Sequence, residues 1–235
     1  MIDHPKPACI RAVKDALGFP SIMLCASMMG FGSLAQQSGY SLGMALSLTA
    51  GIWGLPGQVA MIEFHASGAS ILFAVLASSL ANARFMPMAV SFLPLIRDGV
   101  RHYGWMFVLV QMLSLNPWAA GQRVFPGIIT SVRVYYYVVF ALVCMAAGLT
   151  GTAIGYFGIG NIGRPAALGL LFLNPLFFSV MIAGTRMRPA MIAILIGVPL
   201  GPIFHYLSSD WGLLAAGLIG GSFAFWIHRK TKKEA

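Results

Sequence analysis

Charged side chains are scarce in this sequence, and acidic ones are the scarcest. Only 9% of the 235 residues are charged and six are Asp or Glu, whereas a soluble domain carries about 25% charged residues. Hydrophobic residues make up 58% of the chain, and the mean hydropathy is +0.82. So few charges cannot cover a folded surface that faces water, which excludes an ordinary soluble protein. The composition predicts an all-α, polytopic protein in a lipid bilayer.

Residues that perform catalysis or bind metals are also few. Cys9, Cys25 and Cys144 lie far apart, with neither zinc-binding nor disulfide spacing. The sequence contains no HExxH motif and no phosphate-binding loop with a lysine. Residues 158–163 match G-x-G-x-x-G, but they lie between apolar segments with no strand before them. We therefore expect no enzyme activity, no cofactor and no metal site.

The charges that are present are mostly positive. The net charge is +9, and the basic residues lie between apolar segments and in the tail after residue 228. This distribution is typical of cytoplasmic loops of a membrane protein and argues against nucleic-acid binding. We expect a cytoplasmic N-terminal segment over residues 1–16, one transmembrane domain over 17–228 and a basic cytoplasmic tail over 229–235.

Several apolar segments are long enough to cross a bilayer, which needs about 20 residues. Keeping all basic loops on one side requires about six full crossings plus two interrupted or re-entrant segments. The alternative is about eight crossings, with Arg97 and Arg101 outside. Asn-Pro at both 116–117 and 174–175 suggests an internal repeat. The predicted apolar segments are 19–37, 42–64, 69–95, 105–118, 135–156, 166–184, 191–207 and 211–227.

One of these segments is broken in its middle. Gly54-Leu55-Pro56-Gly57 follows Trp53, and proline removes a backbone donor while glycine permits non-helical dihedral angles. We expect a half-helix to begin near Gly57, with unpaired amides beside Gln58 that would attract a carboxylate. The alternative is a kinked helix that only packs against its neighbours.

The following segment carries polar side chains at its centre. Ser78, Ser79 and Asn82 are predicted to share one face, and Arg84 lies two residues further on. A guanidinium at this depth costs about 2.5–3.5 kcal/mol on insertion scales and needs a partner. Arg84 binds a substrate carboxylate, or it pairs permanently with Glu63 or with carbonyls at the break. Asn82 and Arg84 diverge on a regular helix, so either the helix unwinds between them or they serve different neighbours.

These residues define a candidate transport site. If a proton drives transport, the candidates are Glu63 and His65. The predicted substrate-binding residues are Gly57, Gln58, Asn82, Arg84, Ser78 and Trp53.

Glycines at close spacing predict where helices approach one another. Gly30 and Gly32 leave the second half of the first span without bulky side chains at these positions. Small-xxx-small pairs occur in three later spans. Such faces permit close contact within the chain or with another copy in a higher oligomer. The three pairs are Gly151/Gly155, Gly197/Gly201 and Gly217/Gly221.

In the order of its glycine-rich break, its Asn-x-Arg element and one of its Gly-x-x-x-Gly pairs, the chain resembles the AzlC family. The resemblance covers about residues 16–160. It implies a multi-pass large subunit of the bacterial inner membrane that exports branched-chain or other hydrophobic amino acids. It also implies a small AzlD-type membrane subunit as partner. The alternative is a non-transporting membrane scaffold or partner subunit in which Arg84 and Asn82 lock helices together. The resemblance rests on a span ending near Gly39, the glycine-rich break ending in Gln58, Asn82-x-Arg84 and Gly151-x-x-x-Gly155.

The chain also departs from that family in three places, one of which is around Asn116-Pro117, where the family has an acidic residue. It has Leu55-Pro56-Gly57 where the family usually has small residues, and Phe85 where the family favours histidine.

Overall fold

The computed structural model describes residues 2–83, 85–100, 102, 104–158 and 164–183, together with scattered helical residues between 195 and 226. Throughout this part of the chain the regular elements are helices, and the one β contact is an isolated bridge between Ile2 and Ile128. The all-α prediction is therefore confirmed. The α-helices are α1 (Pro5–Ala16), α2 (Phe19–Gln37), α3 (Leu42–Ile52), α4 (Leu55–Ala66), α5 (Ile71–Asn82), α6 (Phe85–Ile96), α7 (Gly104–Gln111), α8 (Leu115–Val124), α9 (Arg133–Gly158) and α10 (Arg164–Ala183).

The first eight helices form four pairs, each with a short break, and a proline follows every break. Pro20 and Pro56 are the second residues of α2 and α4, and Pro87 and Pro117 are the third residues of α6 and α8. Proline suits the first turn of a helix because its missing N–H would have no helix partner there. These prolines therefore mark where the second helix of each pair begins.

Two sequence predictions are corrected by this pairing. Segment 69–95 is not one straight span but two helices, α5 and α6, whose axes differ by 53°. Segment 105–118 does not end at Asn116-Pro117, because this dipeptide lies in the first turn of α8, which continues to Val124. The second Asn-Pro, at 174–175, lies inside α10, so the two dipeptides occupy different positions and give the proposed repeat no support.

Helix α9 is the longest described helix, and α1, α2, α3, α6 and α8 pack against it. With the turn before it, residues 130–158 form the one described helix that is long and apolar enough to cross a membrane. The described count rises to three if the bent pairs α1–α2 and α5–α6 each form one span. The number of about six crossings therefore stays a prediction.

The contact between α2 and α9 is made by glycine, as the sequence predicted. Methyl groups on Gly151 or Gly155 of α9 would overlap the α2 backbone, and one on Gly32 would overlap the α9 backbone. We call these three residues the glycine seam. Gly30 lies against α10 in the same way. The predicted close approach of helices at these positions is confirmed.

The N-terminal segment is itself part of the core. Residues 5–16 form α1, and its small buried residues Ala8, Ala12 and Ala16 lie on one face that packs against α9. Small side chains at a spacing of four allow this helix to approach α9 closely. Beside it lies an aromatic cluster of Phe92, Phe125, Tyr136, Tyr137 and Phe140.

The chain divides into two compact units, residues 1–177 and 178–235. In the second unit, Gly220 lies near Ile196, Gly197 and Leu200, and the rings of Phe223 and Trp226 stack with centroids 6.1 Å apart. Gly201, Gly217 and Gly221 lie outside the described residues. The assignment of 17–228 to a single transmembrane domain stays a prediction.

Candidate functional site

The break between α3 and α4 occurs at Trp53 and Gly54. Trp53 ends α3 in the left-handed conformation, with φ 44° and ψ 35°, which costs a non-glycine residue about 1–2 kcal/mol. The residue is 4% exposed, and its indole ring lies against Gly148 of α9, where an added Cβ would lie 3.0 Å from the ring. The break predicted from Gly54 and Pro56 is therefore present, and α9 holds it in place.

Helix α4 begins earlier than predicted. Gly54 is its N-cap, Leu55 its first residue, and the Gln58 amide already donates to the Gly54 carbonyl at 3.0 Å. The half-helix thus starts at Leu55 and not at Gly57, because Pro56 can occupy the first turn without needing a hydrogen bond. Since Pro56 has no N–H, the amides of Leu55 and Gly57 are donors that this turn leaves without a helix partner.

Asn82 lies directly on the first turn of α4. Its side-chain amide packs so closely against Gly54 and Gly57 that a methyl group on either glycine would overlap it. Its Oδ1 is buried and has no hydrogen-bond partner. The structure thus brings together Gly57 and Asn82, two of the predicted site residues from neighbouring segments.

Gln58 is a second buried side-chain amide at this break. The residue is fully buried, its Nε2 donates to the Leu48 carbonyl of α3 at 3.4 Å, and its Oε1 has no partner. The Trp53 indole N–H is also buried and without a partner. Leaving a buried polar atom unpaired costs about 1–3 kcal/mol, so the three such atoms around this break make it a candidate binding site.

Helix α5 presents part of the predicted polar stripe to α4. Ser78 is 4% exposed and lies one turn before Asn82, on the same face as the buried Ala74. The prediction that Ser79 shares this face is wrong. Ser79 is exposed and its hydroxyl donates to the Val75 carbonyl of its own helix at 2.8 Å. A turn of 3.6 residues places adjacent residues about 100° apart, so only one of the two serines faces inward.

Helix α5 ends at Asn82 and α6 begins at Phe85. Of the two alternatives for Asn82 and Arg84, the helix interruption after Asn82 is present. Arg84 itself lies outside the described residues, and its pairing stays a prediction.

Sequence reasoning missed the residue that connects two of the breaks. Gln111, the last residue of α7, donates from Nε2 to the Ala50 carbonyl at 3.3 Å and to the Gly51 carbonyl. These are among the last carbonyls of α3, which the helix leaves without partners where it breaks. Gln111 therefore caps α3 and holds the end of α7 against the break.

The α7–α8 break has unpaired polar atoms of its own. Ser114 is the N-cap of α8 without a capping bond, and its Oγ is buried and unpartnered. Asn116 is 8% exposed; its Nδ2 approaches the Pro20 carbonyl at 3.5 Å, and its Oδ1 has no partner. Three side-chain amides thus each contact a helix of another pair. Asn82 contacts α4, Gln111 contacts α3 and Asn116 contacts α2.

The two proton-coupling candidates lie away from the breaks, at the other end of α4. Glu63 is partly buried, and His65 is exposed, with its ring edge-on to Tyr40 at a centroid distance of 5.5 Å. Burial raises the pKa of the Tyr40 phenol. Gln58 and His65 are seven residues apart, or about 10 Å along a helix. The structure therefore separates His65 from the cluster at Trp53, Gln58 and Asn82.

His65 instead borders a pocket of about 470 Å³ between α3 and the end of α4. This volume lies in the range of small-molecule sites, about 300–1,000 Å³. Leu48, whose carbonyl binds Gln58, is part of its wall. The pocket is lined by Tyr40, Ser41, Gly43, Met44, Ser47, Leu48, Met61, His65 and Ile71.

Comparison with known proteins identifies the family. The profile described as AzlC protein matches residues 21–162, which is more than half of the chain and runs from the third residue of α2 past the end of α9. The chain belongs to the AzlC family. Searches of the curated proteins and of the solved structures found no match.

The AzlC family is a membrane-associated family connected with the transport of branched-chain amino acids. The matched region contains the five described residues with buried, unpartnered polar atoms around the α3–α4 and α7–α8 breaks: Trp53, Gln58, Asn82, Ser114 and Asn116. A small polar molecule inside an apolar helical core would find both donors and acceptors there.

Proposed function

We propose that this AzlC-family chain is the large subunit of a bacterial inner-membrane exporter for branched-chain or other hydrophobic amino acids. It works with a small AzlD-type subunit and has both termini in the cytoplasm. It carries out no covalent chemistry and uses no cofactor. The observation that carries the proposal is the α3–α4 break packed against Asn82, with buried polar atoms left unpaired on both segments.

The first turn of α4 supports binding of the substrate carboxylate. Its free amides and the positive end of the helix dipole favour an anion. Arg84, two residues after Asn82, is the proposed second ligand, since a guanidinium binds a carboxylate through two parallel hydrogen bonds. Broken helices with polar groups at mid-depth are a recurrent construction of transporter sites.

The test is export of labelled leucine, valine and methionine from cells that express the chain with its AzlD-type neighbour. Arg84→Ala should abolish export and leave the yield of folded protein unchanged. Arg84→Lys should export weakly, because an ammonium keeps the charge but loses the bidentate geometry. Arg123→Ala, an exposed arginine at the end of α8, is the matched control. Full export by Arg84→Ala would refute the site.

A structural scaffold is the second candidate function. It is favoured by the close packing of the Asn82 amide on Gly54 and Gly57, which is how a side chain locks two helices together. In a scaffold, Asn82→Ala lowers the yield of folded protein, and export never depends on the chain. In a transporter, the same variant folds and its export changes.

Glu63 and His65 are the proposed proton-coupling groups. Exchange of both residues, as Glu63→Gln and His65→Gln, should make export independent of an imposed pH gradient. If neither change alters that dependence, coupling lies elsewhere.

A further inference from the structure

We infer that Gln111 is a gating residue that joins the tips of two helical hairpins, α3–α4 and α7–α8. In each transport cycle it has to release α3 before the site at the α3–α4 break opens toward the end of the bundle where α9 begins. This inference rests on the proposed function and concerns the regulation of that same site. It is carried by the positions of both hairpins beside α9 and by the hydrogen bonds between their tips.

Helices α3 and α4 form a hairpin beside the C-terminal half of α9. Its two ends meet, since the rings of Tyr40 and His65 are 5.5 Å apart. Beside the start of α3, the Tyr156 hydroxyl of α9 donates to the Tyr40 carbonyl at 2.9 Å. Further along α3, the hydroxyls of Thr49 and Thr152 are 2.9 Å apart. The hairpin therefore enters from the C-terminal end of α9 and points toward its middle.

This hairpin is about half as deep as a bilayer. With 11 and 12 residues, its helices are about 16 and 18 Å long, against about 30 Å for the hydrocarbon core. Its turn lies at the level of Gly148, which contacts the Trp53 ring near the middle of α9. The break thus lies midway along a helix that is long and apolar enough to cross a membrane.

Helices α7 and α8 form a second hairpin, beside the N-terminal part of α9. Gly99, five residues before α7, packs against Val134. Directly after α8, the Phe125 ring lies 6.1 Å from the Tyr136 ring. The two helices have 8 and 10 residues, or about 12 and 15 Å. Both ends of this hairpin therefore lie near the start of α9, and it approaches the break from the opposite end.

Gln111 joins the tips of the two hairpins. It is the last residue of α7, and its Nε2 donates to the Ala50 carbonyl at 3.3 Å and to the Gly51 carbonyl, both in the last turn of α3. All three residues are exposed. At the mid-depth of a bilayer, polar backbone groups face water-filled cavities or protein and not lipid. The link therefore fits the wall of a water-filled passage at the point where the hairpins meet.

A shift of the end of α3 reaches the candidate site directly. Trp53 and Gly54 alone separate α3 from the first turn of α4, so release of Gln111 frees both sides of the break. The link is weak enough to open in every cycle, because a neutral hydrogen bond contributes about two- to tenfold to such an equilibrium. Since α7 enters from the N-terminal end of α9, its release opens the site on that side, which is cytoplasmic in the proposed topology.

The first experiment prevents the release. Ala50→Cys and Gln111→Cys are combined in a chain whose three native cysteines are replaced by alanine. A short bifunctional thiosulfonate joins the new thiols in right-side-out vesicles that contain the AzlD-type subunit and are loaded with labelled leucine. Export should fall by about tenfold or more and return after reduction of the cross-link. Each single cysteine variant, treated in the same way, is the control and should keep its export.

The second experiment removes the link. In vesicles without an energy source, Gln111→Leu should admit external labelled leucine about two- to tenfold faster than wild type, because the gate no longer stays closed. Gln111→Glu should leak in the same way, since a carboxylate accepts hydrogen bonds but donates none. Gln111→Lys keeps a donor for the α3 carbonyls and should stay as tight as wild type. A purely structural cap predicts no leak from any folded variant.

The outcomes separate the gate from the proposed function. If wild type exports no leucine, the proposed function is wrong, and so is the gate. If wild type exports leucine and the cross-linked protein exports equally well, the gate is wrong and the exporter stands. A leak through folded Gln111→Leu no faster than through wild type would also overturn the gate, and this assay needs no cysteine replacement.

Discussion

Replacing Gly155 by alanine is expected to force α2 and α9 apart. An added Cβ would lie 2.6 Å from the Met29 Cα of α2, whereas carbon atoms in contact are separated by about 3.5 Å. The obstacle is main chain and cannot rotate away. The two helices must therefore separate by about 1 Å along part of the glycine seam.

The expected loss of stability follows from two opposing effects. Forcing a methyl group into a packed contact costs about 1–3 kcal/mol, with the upper end expected where backbone must move. Alanine returns about 1 kcal/mol because it is a better helix former than glycine. The free energy of unfolding should therefore fall by about 1–2 kcal/mol.

Gly169→Ala is the matched control on α10. A Cβ at Gly169 meets no atom within 4 Å, so only the helix-propensity gain remains, about 1 kcal/mol of added stability. Denaturant titration in mixed micelles, followed by circular dichroism, should place the two variants on opposite sides of wild type. A Gly155→Ala protein as stable as wild type would refute close backbone contact at the seam.

Two further predictions concern the breaks. Gly57→Ala should displace the Asn82 amide and reduce leucine export about tenfold or more, with little change in the yield of folded protein; undiminished export would show that this contact is dispensable. Gln111→Leu removes the donor that caps α3 and should lower the free energy of unfolding by about 0.5–1.5 kcal/mol, because the bond is exposed. The exposed Gln122→Leu serves as its control, and equal stability of the two variants would contradict the capping role.

Much of the local structure could be predicted because glycine and proline act on the backbone directly. Pro56 and its flanking glycines predicted the α3–α4 break, and the Gly151/Gly155 pair predicted the contact with α2. The interruption after Asn82 was one of the two alternatives raised by the divergence of Asn82 and Arg84 on a regular helix. Each of these inferences needed only local dihedral angles, side-chain size or helix geometry.

Other features depend on which distant segments meet, and a single sequence does not encode that in a readable way. Gln111 looked like one more polar residue in a short apolar stretch, yet its partner carbonyls lie 60 and 61 residues earlier. Ser78 and Ser79 lie four and three residues before Asn82, and both spacings are compatible with one helix face. The sequence did not show that only Ser78 faces inward. His65 was named as a proton-coupling candidate because it is titratable, and the sequence did not show that α4 carries it about 10 Å from the break.

The Gln111 cap also has a consequence for biosynthesis. The end of α3 leaves the ribosome 60 residues before the side chain that satisfies its Gly51 carbonyl. At about 5–20 residues per second, that interval lasts roughly 3–12 s. During this time the Gly51 carbonyl needs another partner, such as water, because an unpaired carbonyl is costly in hydrocarbon. We therefore expect the junction of α3 and α4 to reach its final packing only after α7 has been made.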